Sequence, residues 1–147
     1  MAEYADKIMV ALKEAMKAKD SQRRDTIRLI QSAFKQVQID EQRELTADDE
    51  LSILKKEAKK RRETIAELEG AGRETDDEQF ELQVIDSFLP VMMTREEIEV
   101  LAKDAIAETG ASSQKDMGKV IGLVMSKTEG RADGSDVSAV VRELLSQ

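Results

Sequence analysis

The apolar residues of this chain recur at the spacing of an α-helix almost throughout, and the alternation typical of strands is nearly absent. The pattern predicts a first helix over residues 2–19. Asp20 follows it and supplies a side chain suited to capping a second helix, whose apolar positions stop near Asp40. The chain is therefore expected to begin with two helices in succession.

Two further helices are expected before the only proline, Pro90. The third begins after Thr46, whose hydroxyl is placed to cap it, and ends at Gly70 or Gly72, because glycine often terminates a helix. The fourth spans residues 76–89 and has a wide apolar face. Because proline cannot continue a helix, Pro90 predicts a domain boundary.

Three shorter helices are predicted beyond Pro90, and the middle one contains two interior glycines. We therefore expect an all-α protein in two parts, a bundle of about four helices in residues 1–90 and a three-helix unit in residues 91–147. The candidate N-caps in the second part are Thr94, with capping-box spacing to Glu97, then Ser112 or Ser113, and finally Asp133 or Ser135.

Composition narrows the chemistry that such a fold can perform. The 147 residues include no Cys and no His, which excludes thiol nucleophiles, imidazole bases and the usual zinc sites. No acidic cluster has calcium-loop spacing, so neither a metal nor another cofactor is expected, and no candidate catalytic residue emerges. No apolar run approaches membrane-spanning length and no signal pattern is found, which predicts a cytoplasmic protein with no membrane partner.

The formal net charge of −8 argues against indiscriminate binding to nucleic acid, but cations are concentrated locally. On the second helix Arg24, Arg28 and Lys35 share a face, and ion pairing with neighbouring acidic helices is the favoured interpretation. Arg61 interrupts an apolar stripe and must either snorkel or find a carboxylate. A basic run on the third helix faces either phosphates or, more commonly, solvent. This run consists of Lys55, Lys56, Lys59 and Lys60.

The two interior glycines, Gly118 and Gly122, pose the sharpest question, since each costs a helix about 1 kcal/mol relative to alanine. Four residues apart, they share one helix face. Either a neighbouring helix packs closely against that face, or the face admits a nucleic-acid backbone or a partner while nearby cations supply charge. The candidate RNA-binding residues are Lys115, Gly118, Lys119, Gly122, Lys127, Gly130 and Arg131.

Short strings spread over essentially the whole chain resemble the YqeY family of stand-alone GatB/YqeY-domain proteins. That family is similar to the C-terminal tail of GatB, a subunit of the amidotransferase that converts misacylated Glu-tRNA(Gln) or Asp-tRNA(Asn). In that enzyme the helical tail engages tRNA, whereas other domains and subunits supply ATP-dependent activation and glutamine hydrolysis. The most specific strings are Asp116-Met117-Gly118-Lys119 and Gly130-Arg131-Ala132-Asp133-Gly134, accompanied by Ala71-Gly72-Arg73 and Phe88-Leu89-Pro90.

The resemblance implies a two-part all-α fold and a connection with tRNA. It implies no catalysis by this chain alone, because the GatB body and the amidase subunit have no counterpart in 147 residues. The leading hypothesis is a non-catalytic accessory module that binds tRNA or other RNA through its C-terminal helices. The alternative is a protein-interaction module that docks on amidotransferase subunits or another translation factor. A weaker alternative is participation in carbon–nitrogen ligation with glutamine as the amido donor.

Overall fold

A computed structural model describes residues 3–146, which fold into seven α-helices and one short 3-10 helix without any strand. The predicted all-α class is confirmed for this part of the chain. None of its helices is long and apolar enough to cross a membrane. The helices are α1 (Glu3–Lys17), α2 (Ser21–Glu41), α3 (Ala47–Gly70), α4 (Asp76–Phe88), α5 (Arg95–Thr109), the 3-10 helix (Gln114–Asp116), α6 (Met117–Lys127) and α7 (Gly134–Leu145).

Several helix starts follow from local sequence. The Asp20 side chain accepts a hydrogen bond from a first-turn N–H of α2. At α3, Thr46 and Asp49 form a complete capping box: the Asp49 N–H donates to the Thr46 hydroxyl at 3.2 Å, and the Thr46 N–H donates to the Asp49 carboxylate at 2.8 Å. At α5 the Thr94 hydroxyl accepts from the N–H three residues on, at 3.2 Å. The caps predicted at Asp20, Thr46 and Thr94 are therefore confirmed.

The capping carboxylate of α3 is held by a further cation. The Arg43 guanidinium donates two hydrogen bonds to Asp49, at 2.6 and 3.0 Å. Those bonds, followed by the bonds from the Thr46 N–H and hydroxyl, hold the pKa of Asp49 well below its usual range. Asp49 therefore stays negative in moderate acid, where its charge favours the N-terminus of α3.

The start of α6 differs from the prediction. Neither Ser112 nor Ser113 caps this helix through its hydroxyl, because residues 114–116 form a 3-10 turn and α6 begins only at Met117. The Ser112 backbone N–H instead donates to the Asp116 carboxylate at 3.1 Å. The hydrogen bond that holds this turn is therefore accepted by the Asp116 carboxylate and not by a serine hydroxyl. At α7, Asp133, one of the two predicted capping residues, occupies the N-cap position, but its side chain forms no capping hydrogen bond.

Tertiary contacts divide the chain into two compact units, the first ending at Leu89 and the second beginning at Pro90. In the first unit, each of α1 to α4 packs against the other three. Its core includes Ile8, Ile27 and Leu54, which have no exposed surface. In the second unit, α5, α6 and α7 pack against one another. The buried side chains of this second core are mostly valine, alanine and isoleucine.

Two charged side chains join helices within the first unit. Glu50 of α3 is only 2% exposed, and its two carboxylate oxygens accept the N–H groups of Tyr4 and Ala5 at 3.1 and 3.2 Å. Glu50 thereby caps the start of α1 from a distant part of the chain. Arg61 pairs with Glu57 on its own helix and, at 3.2 Å, with Glu81 on α4. The prediction that Arg61 finds a carboxylate is confirmed.

Candidate nucleic-acid interface

Helix α6 buries one side and leaves the opposite side open. Val120 and Val124 have no exposed surface, while Gly118 and Gly122 are exposed. A Cβ atom added to either glycine would meet no heavy atom of a neighbouring element within 4 Å in the described part of the chain. Close packing of a sibling helix against the glycines, the first of the two interpretations above, is therefore wrong for this structure. The glycine face is open to an external partner.

Two exposed lysines accompany the open glycines. Lys119 lies on α6 beside Gly118 and Gly122, whereas Lys115 lies in the 3-10 helix just before α6; all four residues are exposed. Lys115 and Lys119 form no ion pair with any described residue. The nearest acidic residue in sequence, Asp116, accepts the Ser112 N–H. We define Lys115, Gly118, Lys119 and Gly122 as the α6 outer face.

The remaining candidates lie elsewhere in the same unit. Lys127 is rotated by about 80° from Lys119 around the helix axis. Its ammonium nitrogen lies 3.0 Å from a carboxylate oxygen of Glu108, so it links α6 to α5. Gly130 forms the turn after α6 with a φ of +78°, immediately after Glu129 at +52°. Two successive left-handed residues make a tight turn, which explains a glycine at this position without reference to a ligand.

Arg131 is occupied by contacts within its own unit. Its Nε donates to the backbone carbonyl of Val91 at 2.7 Å, and its guanidinium lies 3.6 Å from the Glu97 carboxylate. The Arg131 carbonyl also accepts the N–H of Met93 at 2.7 Å. These bonds fasten the segment that leads into α5 to the turn that follows α6. Arg131 would have to give up part of this network to contact a phosphate.

The structure adds one cation that the sequence pattern did not single out. The Gln114 side-chain amide donates to the backbone carbonyl of Arg142 at 3.1 Å, which places the end of α7 beside the 3-10 helix. Arg142 is exposed, and no described residue forms an ion pair with it. Its backbone therefore lies beside the 3-10 helix that contains Lys115, although the two residues are far apart in sequence. A lone arginine in a last turn is too common to be a signal by itself.

The second basic patch, on α3, is partly neutralised. Lys60 lies 3.3 Å from the Glu57 carboxylate, and Lys55 is half-buried. Lys56 and Lys59 are exposed and form no ion pair with another described residue. Two of the four lysines thus remain open to an anionic partner.

The basic line on α2 does not behave as predicted. Arg24 pairs with Asp25, the next residue of its own helix, at 2.9 Å. Arg28 and Lys35 are exposed and form no ion pair within residues 3–146. The expected pairing of this line with neighbouring acidic helices is therefore wrong for the described residues, because Arg24 pairs within its own helix and the other two side chains extend into solvent-exposed positions without a carboxylate partner.

The described residues offer no group of three or more carboxylates that could hold a metal ion. The family model described as "Yqey-like protein" matches residues 5–145, a range that includes α1 to α7. No curated protein matches the chain.

Proposed function

Because the chain belongs to the family of Yqey-like proteins, we propose that it is a non-catalytic accessory module that binds RNA through the α6 outer face. One observation carries the proposal: Gly118 and Gly122 are exposed with nothing packed against them, next to Lys119 on α6 and Lys115 just before it, and neither lysine forms an ion pair with a described residue. A helix that keeps two destabilising glycines on its solvent side gains nothing in stability from them. Their use lies in letting another molecule come close.

A sugar–phosphate backbone fits this surface in shape and in charge. Without Cβ atoms the middle of the face is flat, so a backbone approaches the helix more closely than ordinary side chains permit. Lys115 and Lys119 then lie beside the phosphates, and Arg142 adds a third cation near the start of the helix. Four aromatic residues in the whole chain are too few for base stacking, so contacts to the backbone should dominate.

The overall acidity limits the proposal to a local site. Between residues 114 and 127 there are three lysines and one acidic residue, although the whole chain carries −8. A local cluster of this kind binds weakly, because the surrounding acidic groups repel the RNA, and its affinity falls as salt rises because each phosphate contact releases counterions. Transfer RNA is the RNA class we propose, on the strength of the resemblance of this stretch to the tail of GatB.

The two other functions remain predictions with less support. Docking on amidotransferase subunits or another translation factor needs a protein-binding surface, and the α6 outer face, which consists of glycines and lysines, offers no apolar side chain for one. Participation in carbon–nitrogen ligation with glutamine as amido donor needs a nucleophile and a base, and a chain without Cys or His has few groups to offer.

Filter binding of the purified protein to total tRNA across a salt series tests the proposal. Phosphate contacts predict an affinity that falls steeply as salt rises. Lys115→Glu with Lys119→Glu should lower the affinity at low salt by more than about tenfold and reduce the salt slope by about 1.5, at 0.7–0.9 per phosphate contact. Absence of binding at the lowest salt would end the RNA proposal.

A matched control is available in the same unit. Lys103 on α5 is exposed and pairs with no described residue, so Lys103→Glu changes the charge as Lys119→Glu does but at another place. The proposal requires the Lys119 variant to bind tRNA several-fold more weakly than the Lys103 variant. Equal losses would show that net charge alone governs binding. A larger loss for Lys56→Glu with Lys59→Glu would assign the RNA site to α3.

A further inference from the structure

The middle part of the two N-terminal helices differs in charge from the rest of the chain. Residues 7–35 contain eight basic and three acidic side chains, a net charge of +5, so the remainder of the chain carries −13. Of the three acids, Asp20 caps α2 and Asp25 pairs with Arg24. The remaining parts of these helices, residues 3–6 and 36–41, add four acidic side chains and no basic one, so the positive surface is confined to the part of the two packed helices between residues 7 and 35.

The same two helices hold most of the exposed apolar side chains. Eight large hydrophobic residues are strongly exposed in the described chain, and five of them lie on α1 or α2. The two methionines are 44% and 51% exposed, and methionine adapts readily to the shape of a partner. The five residues are Met9, Val10, Met16, Leu29 and Ile39.

Grooves between the two helices bring the two features together. Met9 lines a groove of about 510 Å³ with Phe34 and Lys35 on the other helix, and the far wall of this groove includes Glu44 and the buried Glu50. Two turns further along α1, Met16 lines a second groove with Arg24. Arg28 lies between these cations on the exposed line of α2, at i+4 from Arg24. We define Met9, Met16, Arg24, Arg28 and Lys35 as the α1–α2 face.

We propose that the α1–α2 face docks an amphipathic helix of a protein partner, with acidic residues flanking its apolar stripe. Apolar side chains spaced by two helical turns fit the Met9 and Met16 grooves, and carboxylates beside them meet the row of cations on α2. RNA would use the cations but not the methionines, which neither stack on bases nor contact phosphates. This proposal is independent of RNA binding by α6.

Labelled synthetic helices test it by fluorescence anisotropy. The probe is a peptide of about 18 residues with leucines at i, i+3, i+4 and i+7 and glutamates between them. One comparison peptide carries lysines in place of the glutamates, and another has the acidic composition in scrambled order. The proposal predicts that the ordered acidic peptide binds about tenfold more tightly than either of them at low salt.

Two double variants separate the charges from the apolar contacts. Arg28→Glu with Lys35→Glu should weaken binding of the acidic peptide about tenfold, mainly at low salt. Met9→Gln with Met16→Gln should weaken it by a similar factor at all salt concentrations, because the loss is apolar. The matched control is Lys56→Glu with Lys59→Glu, an equal charge change on α3, which should leave the affinity within about twofold.

Four outcomes would overturn the proposal. The first is failure of the acidic peptide to bind at low salt, and the second is equal binding of the lysine peptide. The third is binding of tRNA at this face that responds to the Arg28 and Lys35 changes but not to the methionine changes, which identifies an RNA site. The fourth is self-association in sedimentation velocity that the same charge reversals abolish, which identifies a second copy of the chain as the occupant.

Discussion

Replacing both α6 glycines by alanine should make the protein more stable and a weaker RNA binder at the same time. No neighbouring atom lies within 4 Å of the Cβ added at Gly118 or Gly122, so the substitutions create no clash. Gly122 is inside α6, where alanine is favoured by about 0.8–1.0 kcal/mol. Gly118 is the second residue of the helix, where the gain is smaller because first-turn N–H groups lack helical partners in any case.

The double variant should therefore gain about 1–1.5 kcal/mol in free energy of unfolding. For a unit of this size that corresponds to a rise of about 5–10 °C in the midpoint of thermal unfolding, followed by far-UV circular dichroism. Tyr4 fluorescence in the same samples reports the first unit, because the chain has one Tyr and no Trp. The affinity for tRNA at low salt should fall by about tenfold, since two methyl groups hold the phosphates away from the lysines.

Gly70→Ala provides the control, because this glycine ends α3 and its added Cβ also meets no atom within 4 Å. It should leave tRNA affinity unchanged. A double variant at Gly118 and Gly122 that is less stable than the parent would mean that something packs against the α6 glycines. A variant that is more stable but binds tRNA as well as the parent would mean that the glycines serve no close approach.

Three further predictions concern the contacts that hold each unit together. Glu50→Gln should lower the free energy of unfolding by about 1–3 kcal/mol, because it removes a buried carboxylate that accepts two backbone N–H groups. An unchanged midpoint of urea unfolding, followed by Tyr4 fluorescence, would contradict this prediction. Arg131→Ala should lower the free energy of unfolding by about 1–2 kcal/mol and with it the thermal midpoint. Lys127→Ala removes only an exposed ion pair and should change the free energy of unfolding by less than about 0.5 kcal/mol. Equal effects of the two variants would show that Arg131 does not fasten the segment before α5 to the turn after α6. The lowered pKa of Asp49 means that the unfolded chain binds this proton more readily than the folded protein. The stabilisation by the Asp49 carboxylate is therefore present above about pH 4 and is lost as the pH falls towards about 2. The urea midpoint of the parent protein should fall in that range, and it should fall less in Asp49→Asn. Identical pH profiles of the two proteins would show that this carboxylate does not contribute to stability.

The features that the sequence predicts well are those set by neighbouring residues. Helical spacing defines the apolar faces, and the caps at Asp20, Thr46 and Thr94 each need only a partner within three residues. The capping prediction at Ser112 and Ser113 is wrong because residues 114–116 form a 3-10 turn, so that α6 begins only at Met117, and the Asp116 carboxylate holds this turn by accepting the Ser112 N–H.

The features that the sequence does not predict depend on residues far apart in the chain. Glu50 caps a helix that begins 47 positions earlier, and the Arg131 guanidinium binds a carbonyl 40 positions away. The motif around Arg131 predicts a cation that binds a ligand, yet in the folded protein its guanidinium donates to a backbone carbonyl of the same chain. The exposure of Gly118 and Gly122 was equally undetermined, because a glycine pair on one face suits a packed helix and an open one alike.

An amide NMR titration of the isotopically labelled protein with tRNA at low salt is the most direct test of the α6 outer face. We predict that the signals of Lys115, Gly118, Lys119 and Gly122 shift or broaden first, and that added salt reverses the effect. Perturbations confined to α3 or to α1 and α2, with the α6 signals unchanged, would contradict it.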